Sequence, residues 1–172
     1  MKKFMLFALI ALCCISYNSR GFEILEAGSA AEVAEASLKS LEGFRMIAYK
    51  DATGTMTIGY GSTNKAVVKK RIITKAAATA QLRADIAACE KTISSAVKVE
   101  LTVHERAALI SFVYNVGGAN FRSSTLLKEL NSGNYEAVPR EMRRWIYSKG
   151  KKLRGLINRR EKEILLWEYR AE

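Results

Sequence analysis

The sequence predicts an α+β fold that is mostly helical, with a small N-terminal β-hairpin lobe set beside a larger helical lobe. Three observations carry this expectation. Two short strand-like runs, Met46 to Lys50 and Thr55 to Tyr60, flank the turn-forming Asp51-Ala52-Thr53-Gly54. After Lys75, apolar residues recur at helical spacing in one segment after another. Nothing repeats internally, which excludes a solenoid. A length of 172 residues with a single proline suits one domain able to bury a sizeable core.

The first residues read as an export signal rather than as part of the fold. Lys2 and Lys3 precede an apolar run from Phe4 to Ile15, and polar Ser16 to Arg20 follow. As a helix that run spans only ~18 Å against roughly 30 Å of hydrocarbon, so a cleaved signal is favoured over a retained anchor. Residues 1–22 are assigned to this signal peptide or signal anchor and 23–35 to a linker and helix start. Cys13 and Cys14 fall in the apolar run, leaving Cys89 as the one cysteine of the exported chain.

Ser29-Ala-Ala-Glu32 has the form of a capping box and starts a helix on which Ala34, Leu38 and Leu41 recur. Gly43 is placed to end it in the left-handed conformation, leaving Glu42 at the helix C-terminus, where the negative end of the dipole favours a protonated carboxyl. The hairpin follows. Gly59 and Gly61 on its return strand suggest a bend or a close approach to the backbone. A basic link leads to Thr74, the cap of a helix from Lys75 to Ser95 with Leu82, Ile86, Cys89 and Ile93 in one stripe. Thr102-Val-His-Glu105 is a second capping box, and its helix stops at Gly117-Gly118. One helix is expected from Asn120 to Asn131, another begun or kinked by Pro139 and ending near Tyr147, and a last from Leu156 to Tyr169.

Composition narrows the chemistry. One histidine, His104, and one cysteine outside the leader cannot assemble the usual zinc, Cys/His or Ser/His centres, so no metal and no cofactor is expected. A net charge of +11 predicts attraction to a polyanion: nucleic acid, anionic lipid or an acidic wall polymer. Glu42 and Asp51, nine residues apart, can face one opening with Thr57 beside them. Glycosidic cleavage needs such a pair, one carboxyl to protonate the leaving oxygen and one to direct a water. Spacing by itself leaves cap, turn and surface charge as readier explanations of the same residues.

Glu42-Gly43, Tyr49-Lys50-Asp51 and Thr57-Ile58-Gly59-Tyr60-Gly61 together resemble the active-site signature of the phage-type lysozymes or endolysins, glycoside hydrolase family 24. Ala108 to Gly117, Asn120-Phe121 with Ser124 to Leu127, and Arg143-Arg144-Trp145 with Gly155 to Glu161 extend the resemblance in order. It implies a lysozyme-like catalytic domain at 36–172 that hydrolyses the β-1,4 bond between N-acetylmuramic acid and N-acetylglucosamine with inversion. Glu42 would be the general acid, and Asp51 with Thr57 would activate water. Tyr49, Tyr114, Asn115 and Ser124 would bind the saccharide. The implied partner is peptidoglycan, reached after export to the periplasm or beyond, with transient membrane contact through the N-terminal segment and the export machinery, no nucleic acid, and a monomeric state. The rivals are a lytic transglycosylase, which needs no water-directing carboxylate, and a catalytically inactive basic wall-binding module. Ser62 departs from the family pattern, which commonly has histidine there.

Overall fold

The computed structural model describes residues 15–17, 23–25, 28–51 and 54–170. Most of the expected export segment at 1–22 therefore lies outside the described residues, with Cys13 and Cys14. Two short antiparallel strands, β1 (Ile15–Tyr17) and β2 (Glu23–Leu25), precede the first helix. Among the described residues no helix is long and apolar enough to cross a membrane.

Helix α1 (Ala30–Glu42) begins at the capping box, with both reciprocal Ser29 and Glu32 hydrogen bonds formed. Its buried face is Val33, Ala34, Ser37 and Leu38. Gly43 ends it with φ 65° and ψ 171°, so the left-handed cap is half right: φ is positive but ψ is extended. That geometry turns the chain directly into β3 (Arg45–Lys50), which pairs antiparallel with β4 (Met56–Gly59). The register is irregular between Arg45 and Tyr49.

The basic link is more structured than the sequence suggests. It holds a short helix, α2 (Lys65–Val68), capped by the Asn64 side chain on the Ala66 N–H, and then a segment whose Ile72 bridges to Ile47 on the free edge of β3. The hairpin lobe is thus a sheet of two strands extended by two isolated bridges, Ile47 with Ile72 and Ile58 with Ser62.

The helical lobe is built around α4 (Val103–Val116), whose buried residues include Ala107, Ala108, Leu109, Ile110, Phe112 and Val113. Apolar surface on nearly every side is the mark of a central helix. It is surrounded by α1, by α3 (Lys75–Ala96) through Leu82, Ile86, Cys89 and Ile93, and by α8 (Arg154–Trp167) through Ile164, Leu166 and Trp167. The expected helix at 120–131 is two helices, α5 (Gly118–Arg122) and α6 (Thr125–Asn131). Ser124 breaks it, because its hydroxyl accepts the Leu127 N–H at 3.1 Å and starts a new helix. The Pro139 helix is shorter than expected: α7 spans Ala137–Met142. The chain then forms a tight hairpin, β5 (Tyr147–Ser148) and β6 (Lys151–Lys152), which the basic composition had concealed.

Candidate active site

A cavity of about 710 Å³ opens between the hairpin lobe and the helical lobe. Glu42 reaches it from the end of α1, Tyr49 and Asp51 from β3 and the turn after it, and Thr57 from β4. Gly61 to Lys65 line it beyond the hairpin. Asp85, Cys89 and Thr92 line it from α3, and Val113 to Gly118 from the end of α4. Glu42 and Asp51 therefore sit where an element ends or turns, which is where a rigid framework can present a side chain without burying it, while Thr57 is buried on β4.

Asp51 is held by the turn it starts. Its backbone N–H donates to Thr55 O at 2.9 Å, and its Oδ1 accepts the Thr55 N–H at 2.8 Å. The Thr57 hydroxyl, 3% exposed with its residue, donates to Thr55 O at 3.1 Å. Both residues are thus fixed to the same short stretch of backbone. Gly61, with φ 83°, runs so close to the catalytic candidate that a Cβ added there would lie 2.7 Å from Glu42 Oε2. Only glycine tolerates both that φ and that approach.

Glu42 has a partner that sequence reasoning did not pair with it. Arg159 on α8 places Nη1 2.5 Å from Glu42 Oε1 and Nε 2.9 Å from Glu163 Oε1. Its Nη2 donates to Ser111 O at 3.1 Å, and the Ser111 hydroxyl donates to Glu163 at 2.8 Å. Burial opposes the charge of Arg159, but the Glu163 and Glu42 carboxylates outweigh it and raise its affinity for the proton. The guanidinium is permanently cationic in this setting. The next residue, Arg160, is wholly buried, donates to Asn115 Oδ1 at 2.6 Å, stands 3.0 Å from Glu163 Oε2 and lies 4.8 Å from the Phe112 ring centre. Burial pushes Arg160 down to about 10, against the attraction of Glu163. A signal for this pair was present in the sequence, since Arg159 and Arg160 lie in a block carrying the family resemblance, but their depth was not.

The tyrosines register the negative charge of the cleft. Burial raises the Tyr49 phenol above its ordinary value, and the Glu42 and Asp51 carboxylates add to it while Arg45 opposes. Burial, then Glu42 and Asp85, raise Tyr114 further. Tyr114 donates its hydroxyl to Tyr60 O at 2.7 Å, tying α4 to the end of the hairpin lobe. Asn115 lines the cleft while accepting from Arg160. Of the expected saccharide residues, Ser124 alone is absent from the lining; its hydroxyl is committed to Phe121 O at 2.7 Å and to the Leu127 N–H. Ser62 is buried, exchanges backbone hydrogen bonds with Ile58 at 3.0 Å, and borders the cavity with Asp85.

Sequence and structure comparisons agree with this geometry. The phage lysozyme family matches residues 39–163. A SAR-endolysin of Bacteriophage PS119 is 41% identical over 129 residues, covering 74% of this chain and 77% of its own. A SAR-endolysin of Escherichia phage Mu is 36% identical over 144 residues, 84% of each chain. Among solved structures, the endolysin from Escherichia coli O157:H7 phage FAHEc1 superimposes with a TM-score of 0.70 at 34% identity, covering 78% of this chain and 90% of that one. The muramidase domain of SpmX from Asticaccaulis excentricus gives 0.73 at 29% identity, covering 84% and 100%. With the family matched across most of its length and the cleft formed where the signature residues converge, the chain belongs to the phage lysozyme family and is a peptidoglycan-degrading hydrolase of the muramidase type.

Proposed function

We propose that this endolysin cleaves the N-acetylmuramic acid to N-acetylglucosamine bond with inversion, Glu42 giving the proton and Asp51 with Thr57 directing the water. The observation that carries this reading is the convergence of all three on one cavity from a helix end, a turn and a return strand. Glu42 protonates the departing glycosidic oxygen, which then leaves as a hydroxyl. Asp51 accepts a proton from the water as its oxygen bonds to the anomeric carbon on the opposite face. Proton transfer of this kind contributes about 10² to 10⁴ in rate. Arg159 holds the Glu42 carboxyl in one orientation through their ion pair.

Tyr49, Tyr114 and Asn115 line the walls of the saccharide cleft, an aromatic face covering the apolar side of a sugar and the amide meeting its polar groups. Ser124 is given the capping role its hydrogen bonds describe. The protein acts as a monomer after export to the periplasm or beyond, with residues 1–22 as the export or anchoring segment, 23–35 as the linker and 36–172 as the catalytic domain.

The test is loss of turbidity of purified peptidoglycan with the wild type and Glu42→Gln, followed by analysis of the product ends. Reducing ends formed first as the α-anomer support the proposal. Ends in the 1,6-anhydro form would assign the chain to transglycosylation, and unchanged digestion by Glu42→Gln would remove Glu42 from the chemistry.

A further inference from the structure

Four of the six large apolar side chains most exposed among the described residues belong to the hairpin lobe: Ile47 at 64%, Ile72 at 62%, Met46 at 54% and Met56 at 40%. None of them lines the catalytic cavity. The backbone sets two of them side by side. Ile47 and Ile72 form an isolated antiparallel bridge, flanked by Ala48 N–H to Arg71 O and Ile73 N–H to Met46 O, both 2.9 Å. Bonds on either side of the pair make it the non-hydrogen-bonded kind, in which opposed side chains stand closest on one face. Arg71 makes the turn into this bridge with φ 63°, a conformation that strains any residue with a Cβ. Ile73 then enters the core at 6% exposure, and Ile72 is turned outward beside Ile47.

The sequence around this patch is strongly basic. From Gly43 to Ala84 the sequence carries eight cations and one acid, Asp51. Arg45, Lys50, Lys69, Lys70, Arg71 and Lys75 are all exposed. A pair of exposed isoleucines set side by side in a basic segment marks an interaction surface. A soluble polyanion would satisfy the cations but leave the two isoleucines in water. A bilayer with anionic headgroups satisfies both, since apolar side chains enter the headgroup and acyl boundary while lysine and arginine meet the lipid phosphates.

We propose that the outer face of the hairpin lobe, centred on Ile47 and Ile72, docks on the surface of an anionic phospholipid bilayer. This contact is separate from the N-terminal segment and from the saccharide cleft.

The experiment uses the full chain carrying Ile47→Trp, mixed with vesicles whose acyl chains are brominated and quench indole only on insertion. Vesicles containing phosphatidylglycerol are expected to quench the added tryptophan beyond the wild-type baseline, and pure phosphatidylcholine vesicles to leave it unquenched. In the same background, Ile72→Ser should raise the lipid concentration for half-maximal quenching by about tenfold, and Lys69→Gln with Lys70→Gln by about 25-fold, some fivefold per cation. Hydrolysis of small soluble peptidoglycan fragments should be unchanged by all of these. The proposal is overturned by any of four results. Protein that sediments with vesicles while the added tryptophan stays unquenched binds through its N-terminus alone. Emission already blue-shifted in buffer means that the chain's own leader or a second copy covers the patch, which sedimentation velocity separates. A loss on removing the lysines but none with Ile72→Ser means polyanion binding only. Equal quenching by neutral vesicles removes the charge argument.

Discussion

Arg159 Nη1 and Glu42 Oε1 lie 2.5 Å apart although their positions differ by 117 in the chain, so α8 holds the proposed proton donor at the end of α1. The pair is lopsided: the Arg159 side chain is 8% exposed and the Glu42 side chain 20%. Glu42 faces the cleft, while Arg159 is anchored behind it by Glu163 and Ser111.

Removing that anchor should cost stability before it costs chemistry. Arg159→Met leaves the carboxylate of Glu163, 1% exposed, with Arg160 and the Ser111 hydroxyl as its remaining partners, and losing one charged hydrogen bond of this kind costs on the order of 2 kcal/mol. Urea unfolding is expected to show the loss. Arg159→Lys should be intermediate, since one ammonium cannot span Glu42 and Glu163 together.

Gly61→Ala is expected to act on Glu42 without touching its chemistry. The added carbon would meet Glu42 Oε2 at 2.7 Å on a backbone already at φ 83°. The carboxyl must swing away, and misplacing a catalytic group by about 1 Å costs on the order of 10²-fold in rate. Turnover on peptidoglycan should fall by that order while the far-ultraviolet circular dichroism spectrum stays native.

Glu35 supplies an acid-dependent share of stability. Burial raises its pKa, but hydrogen bonds from Arg83 and Lys39 outweigh this and hold it below the ordinary glutamate range. A carboxyl depressed in the folded state stabilises the fold above its unfolded pKa, about 4.3, and loses that contribution as pH falls through the lower folded value. Melting temperature measured from pH 7 down to pH 3 should therefore fall less for Glu35→Gln, relative to its own neutral value, than for the wild type.

Cys89 borders the cavity between the lobes, yet its thiol should be unreactive. Burial pushes it up to about 12, with Asp85 adding to the effect, so almost no thiolate exists at neutral pH. Native protein should react with a disulfide reagent at pH 8 far more slowly than the same protein in denaturant. A fast reaction in the folded state would show that the α3 wall of the cleft opens.

Local rules made much of this fold readable. The two capping boxes at Ser29 and Thr102, the stripe from Leu82 to Ile93, and the hydrogen bond from the Gly54 N–H to Asp51 O use contacts within a few residues, and all stand in the structure. The errors have local causes too. Ser124 reads as part of one long helix until its hydroxyl is seen to cap the next, and α2 with the β5 and β6 hairpin hides inside lysine-rich stretches whose composition resembles a linker.

For the site, the chain order alone determined which residues could meet: an acid at a helix end, an acid in a turn and a hydroxyl on the return strand, because the hairpin between them is short. What only the tertiary structure decided is everything that reaches this group from far along the chain. Arg159 against Glu42, Tyr114 onto the Tyr60 carbonyl, Asp85 in the wall of the cleft, and Ile72 beside Ile47 each depend on packing across long sequence separations. Sequence periodicity reports which face of an element is apolar, but which partner's charge lies against which carboxyl is set by how the helices pack around α4.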